Sequence, residues 1–137
     1  MDAATYPGLL PAVTEVNRPF WDGLRAGELR LQSCNSCATR RYPESYVCPN
    51  CLSPDYTWQA ASGRGRLWSW IVMHQRYFPA FADEMPYNVA FVHLEEGPYL
   101  MSSLVEIPDD LRVDEPVEAV FVPVPGDRVI PKFRVVR

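Results

Sequence analysis

The chain has 137 residues, 47% of them hydrophobic and 22% charged, with a net charge of −4. That length suits one domain, or two very small ones on a shared core, and the balance is that of a globular chain rather than a disordered one. No apolar run is long enough for a membrane-spanning helix, and the acidic balance argues against nucleic acid, whose binders carry a basic surplus.

Charge is unevenly placed. Between Ala82 and Glu118 stand ten acids and one base, Arg112. Seven arginines and four acids lie between Arg18 and Arg66, and four bases and one acid between Val124 and Arg137. An anion site therefore belongs with the middle arginines or the tail, and the acidic stretch reads as a solvated face. Fourteen prolines, about twice the average usage, predict turns and short strands.

In chain order, Met1 to Pro11 is a loose leader. Met1 to Leu10 has neither the basic nor the apolar region of a signal peptide, so a cytoplasmic location with reduced cysteines is expected. Val16, Phe20, Trp21 and Leu24 recur at near-helical spacing and predict a short helix from Pro19 to Ala26. Thr14 is the expected cap, Pro19 fits the first turn, and Gly27 closes the helix in the left-handed conformation. Glu28 to Ser33 alternates, with Leu29 and Leu31 opposite Arg30 and Gln32, and predicts a strand. Tyr56 to Gln59 is its returning partner. Five strands follow: Arg66 to Met73, Tyr87 to Leu94, Tyr99 to Val105, Val117 to Val122 and Ile130 to Val136. In the first, Leu67, Ser69 and Ile71 alternate against Trp68, Trp70 and Val72. Val122 to Asp127 reads as a turn. Five short strands with turns between them predict a small barrel or sandwich.

All four cysteines fall in "CNSCATRRYPESYVCPNC", as Cys34-x-x-Cys37 and Cys48-x-x-Cys51. Each pair supplies two thiolates from one tight turn, and two pairs complete a tetrahedral site. Four ligands leave no open position, so the site reads as structural zinc, with iron as the all-sulfur alternative. Two disulfides or a redox pair fit less well, because no secretion signal or βαβ pattern accompanies them. A ribbon of two short strands and two knuckles has almost no core of its own and needs such a staple.

Five segments in order carry a resemblance: "FWDGLRAGELRLQSC" (Phe20 to Cys34), the knuckles with "CPNC", "WQAASGRGRLWSW" (Trp58 to Trp70), "MPYNVAFVHLEEG" (Met85 to Gly97) and "PKFRVV" (Pro131 to Val136). Over residues 14–136 the chain resembles the DUF35 family of acyl-CoA-associated OB-fold proteins with a rubredoxin-like zinc ribbon. The resemblance implies a mainly β fold: leader and N-terminal helix over residues 1–27, zinc ribbon over 28–61, five-stranded OB barrel over 62–137. It also implies a non-catalytic accessory subunit of a thiolase-like enzyme, a thiolase, acyltransferase or aldolase acting on acyl-CoA, with steroid side-chain degradation among the pathways served. The catalytic residues would belong to the thiolase-fold partner, in a two-fold symmetric heterotetramer, and this chain would help form the acyl-CoA channel. Three positions depart from the family pattern. Ala38 stands where a glycine often follows the second cysteine, Tyr42-Pro43-Glu44 replaces a Pro-Pro-Arg-like stretch, and Val113 to Pro116 replaces a glycine before the penultimate strand.

Other candidate contacts with CoA or a partner are Arg40, Arg41 and Tyr46 in the spacer between knuckles, and Arg64 and Arg66 in "SGRGR". Tyr77, Phe78 and Phe81 stand in a long aromatic loop, and Phe133 and Arg134 in the last strand. "SGRGR" can cradle a phosphate with backbone N–H groups, or simply be a tight turn into the barrel. The aromatic loop reads equally as an interface or as a packed loop, and Phe133 and Arg134 as an ordinary strand. His74 and His93 lie in or beside apolar strands with no nucleophile marked with them, so no catalytic set is expected. Two other functional classes remain open: a single-stranded nucleic-acid module, since zinc ribbons and OB folds occur there, and a free-standing acyl-CoA hydrolase.

Overall fold

The computed structural model describes residues 10–137; most of the leader, and all but Leu10 of the segment read for a signal peptide, lie outside them. Helix α1 spans Arg18–Arg25, with Pro19 in its first turn. Thr14 does not cap it. Asn17 holds that position, and the two side chains instead close the preceding turn: Thr14 N–H donates to Asn17 Oδ1 (2.6 Å) and Asn17 N–H to Thr14 Oγ1 (3.2 Å). Gly27 closes the helix at φ +77°, with Glu28 N–H donating to Gly23 O at 2.8 Å. Only glycine takes that conformation without strain.

The chain then forms a three-stranded ribbon. β1 (Arg30–Cys34) pairs with β2 (Arg40–Arg41) on one side and β3 (Tyr56–Ala60) on the other. The face of β1 that carries Gln32 is not open to solvent, as its alternation implied. Gln32 is 0% exposed because Arg41 of β2 and the loop at Ser45 lie across it.

The second sheet holds β4 (Arg64–Met73), β5 (Tyr87–Leu94), β6 (Tyr99–Ser102), β7 (Pro116–Val124) and β8 (Arg128–Val135), in the order β6-β5-β4-β7-β8. A 3-10 helix, Pro79–Glu84, sits between β4 and β5. The expected strand from Tyr99 to Val105 is divided. Its first part pairs with β5, and then the chain crosses to run parallel to β8 at the Leu104–Phe133 bridge. There Phe133 N–H donates to Ser103 O and Val105 N–H to Phe133 O, each at 2.9 Å. This joins the two ends of the sheet into a five-stranded barrel of OB type.

The alternation along β4 is interrupted by a bulge between Leu67 and Ser69. An extra residue in one strand shifts the phase of the side chains beyond it. Leu67 is core and Trp68 faces outward, as alternation gives, but beyond the bulge Trp70 packs inward and Ile71 is exposed. The stretch read as a turn from Val122 is strand as far as Val124, and the turn itself is Pro125 to Asp127. Pro123 is tolerated because β7 pairs with β4 only through Glu118, which leaves an edge beyond.

One apolar core joins the parts. Phe20 and Leu24 of α1 and Leu29 and Leu31 meet Leu67, Ala90, Val92, Leu94, Leu100, Leu104, Val117 and Phe133. At about 25 cal/mol per Å² of apolar area, this burial is the main term holding the barrel closed.

Candidate functional site

The two cysteine knuckles fold alike. Ala38 N–H donates to Cys34 O (2.9 Å) and Leu52 N–H to Cys48 O (2.8 Å). Cys34 N–H donates to Thr39 O and Cys48 N–H to Ser53 O, both at 2.9 Å. The residue after each second cysteine is left-handed, Ala38 at φ 63° and Leu52 at φ 66°. Ala38 is thus strained, at the position where the resemblance implies glycine. Asp114, in the run that replaces the other glycine, is left-handed too, at φ 67°; Asp tolerates that region better than most residues.

These turns bring all four sulfurs within 4.8 Å of one another. Cys34 Sγ lies 3.5 Å from Cys51 Sγ, and Cys37 Sγ lies 3.6 Å from Cys48 Sγ. Four thiolates at about 2.3 Å from a tetrahedral ion stand about 3.8 Å apart, so the donor set and its spacing suit one metal ion. Thr39 Oγ1, 3.1 Å from Cys37 Sγ, and then Asn50 Nδ2, donating at 3.5 Å, lower the Cys37 thiol to about 5. The Cys37 backbone amide, first among several groups, lowers Cys34. The Ser53 amide pulls on Cys51 in the same sense, but Cys34, burial, Cys37 and Cys48 outweigh it and push that thiol up to about 12. The protein thus favours two thiolates by its own hydrogen bonds. All four together require a cation among them.

Beside the knuckles the ribbon is filled by a polar network. Arg41, 5% exposed, donates from Nε to Gln32 Oε1 (2.8 Å) and from Nη2 to Ser45 O (3.2 Å), and its guanidinium lies 5.0 Å over the Tyr56 ring. Arg40 donates to Gln59 Oε1 (3.0 Å) and faces Glu96 at 3.9 Å. Tyr46 projects into solvent at the ribbon tip.

"SGRGR" forms the entry to β4 rather than a phosphate cradle. Ser62 N–H is taken by Glu96 Oε2 (2.8 Å) and Arg64 N–H by Ser62 Oγ (3.1 Å). A Cβ on Gly65 would stand 2.5 Å from His93 O, so that glycine serves strand contact. Arg64 and Arg66 are exposed and pair with Glu95 and Asp114. Phe133 is 0% exposed, inside the barrel, and so meets no ligand or partner at the surface; Arg134 points outward to Glu118. Tyr77 and Phe78 are exposed, whereas Phe81 packs against Phe78 and Tyr87.

The structure adds an aromatic ladder that the sequence did not reveal. On the outer face of β4, β5 and β6, Tyr99 stacks on His93 (4.3 Å) and Phe91 (5.3 Å), and Trp68 meets Tyr99 edge-on at 5.4 Å. Trp68 is 57% exposed and Met101 68%. The ladder arises from cross-strand register, His93 opposite Tyr99 and Phe91 opposite Met101, together with the outward-facing Trp68 of β4. Strands 2 and 3 of an OB barrel, here β5 and β6, form its usual ligand face. Tyr99, Phe91 and Met101 meet Arg40, Arg41 and Tyr42 across a groove of about 530 Å³. On the other side of Tyr42 and Met101 lies a second cavity of about 570 Å³, walled by Phe20, Trp21, Phe81 and Leu104. No helix of the described residues is long and apolar enough to cross a membrane.

Comparison with known proteins agrees with this architecture. Two domain models match, the rubredoxin-like zinc ribbon domain of ChsH2 over residues 21–57 and the C-terminal OB-fold domain of ChsH2 over residues 58–122. A "DUF35 domain-containing scaffold protein" of Methanothermobacter thermautotrophicus is 34% identical over 90 residues, covering 64% of this chain and 67% of that protein. A "Probable enoyl-CoA hydratase alpha subunit" of Thermomonospora curvata is 37% identical over 125 residues, covering 90% of this chain and 39% of that protein. The chain thus spans about two fifths of the length of the Thermomonospora protein. The solved structure "Ltp2-ChsH2(DUF35) aldolase" superposes with a TM-score of 0.82 at 36% identity, over 92% of this chain and 98% of the matched one. The chain belongs to the DUF35 family, as a zinc ribbon of ChsH2 type followed by an OB fold.

Proposed function

We propose that this chain is an accessory subunit of an acyl-CoA-processing enzyme, docked on a thiolase-fold subunit and helping to form its acyl-CoA channel. The observation that carries the reading is the match, along nearly the whole chain, to the aldolase structure that pairs a DUF35 protein with Ltp2. The names of the curated relatives, a scaffold protein and a CoA hydratase alpha subunit, point the same way. The surface suits the role. Exposed large apolar side chains on monomeric proteins scatter singly, and a contiguous set such as Trp68, Tyr99 and Met101 marks a docking face. Both cavities have the size of small-ligand pockets, and they share Tyr42 and Met101.

In this reading the knuckles hold zinc through Cys34, Cys37, Cys48 and Cys51, and the ion supplies structural cross-linking only. The ribbon holds Arg40 and Tyr42 against the barrel, the ladder supplies partner contacts, and the ribbon and barrel organise separately over residues 28–61 and 62–137. The assembly is a two-fold heterotetramer in the cytoplasm, and a steroid side-chain acyl group is the first acyl class to test.

The test is co-expression with a thiolase-fold acyl-CoA enzyme from the same organism, followed by size-exclusion chromatography. Co-elution that Met101→Glu abolishes, with metal content unchanged, is expected. Separate elution of the wild-type chains overturns the proposal.

A further inference from the structure

Away from the metal knuckles, two arginines of α1 and a third from the far end of the barrel, Arg128, converge on one hollow. Arg18, Trp21, Asp22 and Arg25 share a face of α1, by their three- and four-residue spacing. The turn between β7 and β8, left-handed at Gly126 and Asp127, brings Arg128 over them. Its guanidinium lies 4.1 Å over the Trp21 ring, and its Nη2 donates to Pro11 O at 2.9 Å. With Val13 and Val129 these residues wall a hollow of about 150 Å³. At about 30 Å³ per water that is the space of some five waters, enough for one compact oxyanion but not for a chain.

Three features suit the hollow to an anion. Among the described residues, Arg128 Nε is buried without a hydrogen-bond partner; a buried donor left unmade is costly, and most are satisfied. Arg18 is exposed, and among the described residues no salt bridge or hydrogen bond engages its guanidinium. Burial, and then the charge of Arg25, lower Arg128, so the two cations work against each other. The carboxylates nearby answer only part of this charge. Asp127 accepts from Arg25 Nη2 at 3.1 Å, and Asp22 lines the wall. The five charged groups sum to +1 in a chain whose net charge is −4.

We infer that this hollow is a binding site for a phosphate group. Guanidinium forks suit phosphate oxygens, and a phosphate monoester brings about −1.5 to −2 of charge and three strong acceptors. Trp21 supports the Arg128 guanidinium from below, Arg18 is free to close from the side, and a shift of Arg128 toward the hollow would give its Nε an acceptor. The site is separate from the aromatic ladder and does not depend on the subunit role proposed above. Two sources carry the same chemistry: free orthophosphate, and the phosphates of an adenosine 3′,5′-bisphosphate moiety.

The experiment titrates the full-length metal-loaded chain with orthophosphate and, separately, with adenosine 3′,5′-bisphosphate, at constant ionic strength set with chloride. The readout is the indole N–H resonance of Trp21, assigned with Trp21→Phe, because Arg128 lies on that ring. A saturable shift is expected with at least one ligand, weakened five-fold or more by Arg18→Gln, an exposed change that leaves metal content and amide spectrum intact. A tenfold or greater preference for the bisphosphate assigns the site to a nucleotide; equal binding assigns it to orthophosphate. A shift that never saturates with either ligand, or saturation unaffected by Arg18→Gln, overturns the inference.

Discussion

Ribbon and barrel are neighbours on one chain, yet they fill their interiors with opposite materials. Inside the barrel the buried side chains are Leu67, Ala90, Val92, Leu94, Leu100, Leu104, Val117 and Phe133, all apolar. Between the ribbon strands they are Gln32, Ser33, Arg41 and two of the four cysteines. The ribbon lends its apolar residues, Leu29 and Leu31, to the shared core and keeps a polar interior in which, among the described residues, Gln32 Nε2 and Arg41 Nη1 have no hydrogen-bond partner. Unmade polar bonds cost roughly 1–3 kcal/mol each. A layer filled this way does not close by burial alone, whereas the barrel does. The metal therefore supplies the cohesion that the ribbon interior lacks.

The largest effect should come from removing the ion. Structural zinc in small ribbons contributes roughly 10–16 kcal/mol of apparent binding energy. Cys48→Ser, at a sulfur that is fully buried, or chelation of the wild type, should abolish metal content. Either should also expose the amides of β1 and β3 to hydrogen exchange, while β5 and β8 stay protected. Metal content is read by mass spectrometry and protection by amide exchange. Equal loss in both regions would show that the ribbon supports the barrel and would erase the distinction.

The second test attacks the barrel where it closes. Phe133→Ala removes a ring that is 0% exposed, from the residue whose backbone links β8 to Ser103 and Val105. The expected cost is about 3–5 kcal/mol, read from the urea midpoint of the metal-loaded chain. Metal stoichiometry should be retained. Loss of metal on this change would mean that the ribbon folds only on a formed barrel.

The same contrast explains what the sequence could and could not reveal. β5 was legible residue for residue, because Tyr87 to Leu94 is nearly all apolar between clear turns, and the two cysteine pairs announce their own geometry. β2 was not legible, since two arginines carry no periodicity. The burial of Gln32 and Arg41 was hidden because polar residues are normally outside. The inward turn of Trp70 and the exposure of Ile71 depended on a bulge that a regular alternation does not encode. The ladder of Phe91, His93 and Tyr99 needs cross-strand register, and the meeting of Arg18 and Arg25 with Arg128 needs the whole barrel in place. Local chemistry was readable; juxtaposition was not.

A smaller effect is expected at Gly65. A Cβ there would meet His93 O at 2.5 Å, and backbone cannot swing aside as a side-chain tip can. Gly65→Ala should force β4 and β5 apart at a cost of roughly 1–3 kcal/mol, seen as a lower urea midpoint with metal bound. It sharpens the comparison, because the "SGRGR" segment would then be shown to act through barrel packing. An unchanged midpoint would reopen a ligand role for its glycines.

The smallest predicted effect has the opposite sign and concerns the knuckles. Leu52 is left-handed at φ 66°, and its side chain is 72% exposed. An L-residue in that conformation costs about 1–2 kcal/mol, while the side chain recovers little by burial. Leu52→Gly removes the strain, and the added freedom of glycine in the unfolded chain takes back part of the gain. A net stabilisation of about 0.5–1 kcal/mol is expected for the metal-loaded protein, as a higher urea midpoint. Ala38→Gly, at φ 63° in the matching place of the first knuckle, should do the same, since the two turns share their hydrogen bonds. If Ala38→Gly stabilises and Leu52→Gly destabilises, the leucine side chain has a contact of its own, and the knuckles, alike in backbone, differ in what they present to a partner.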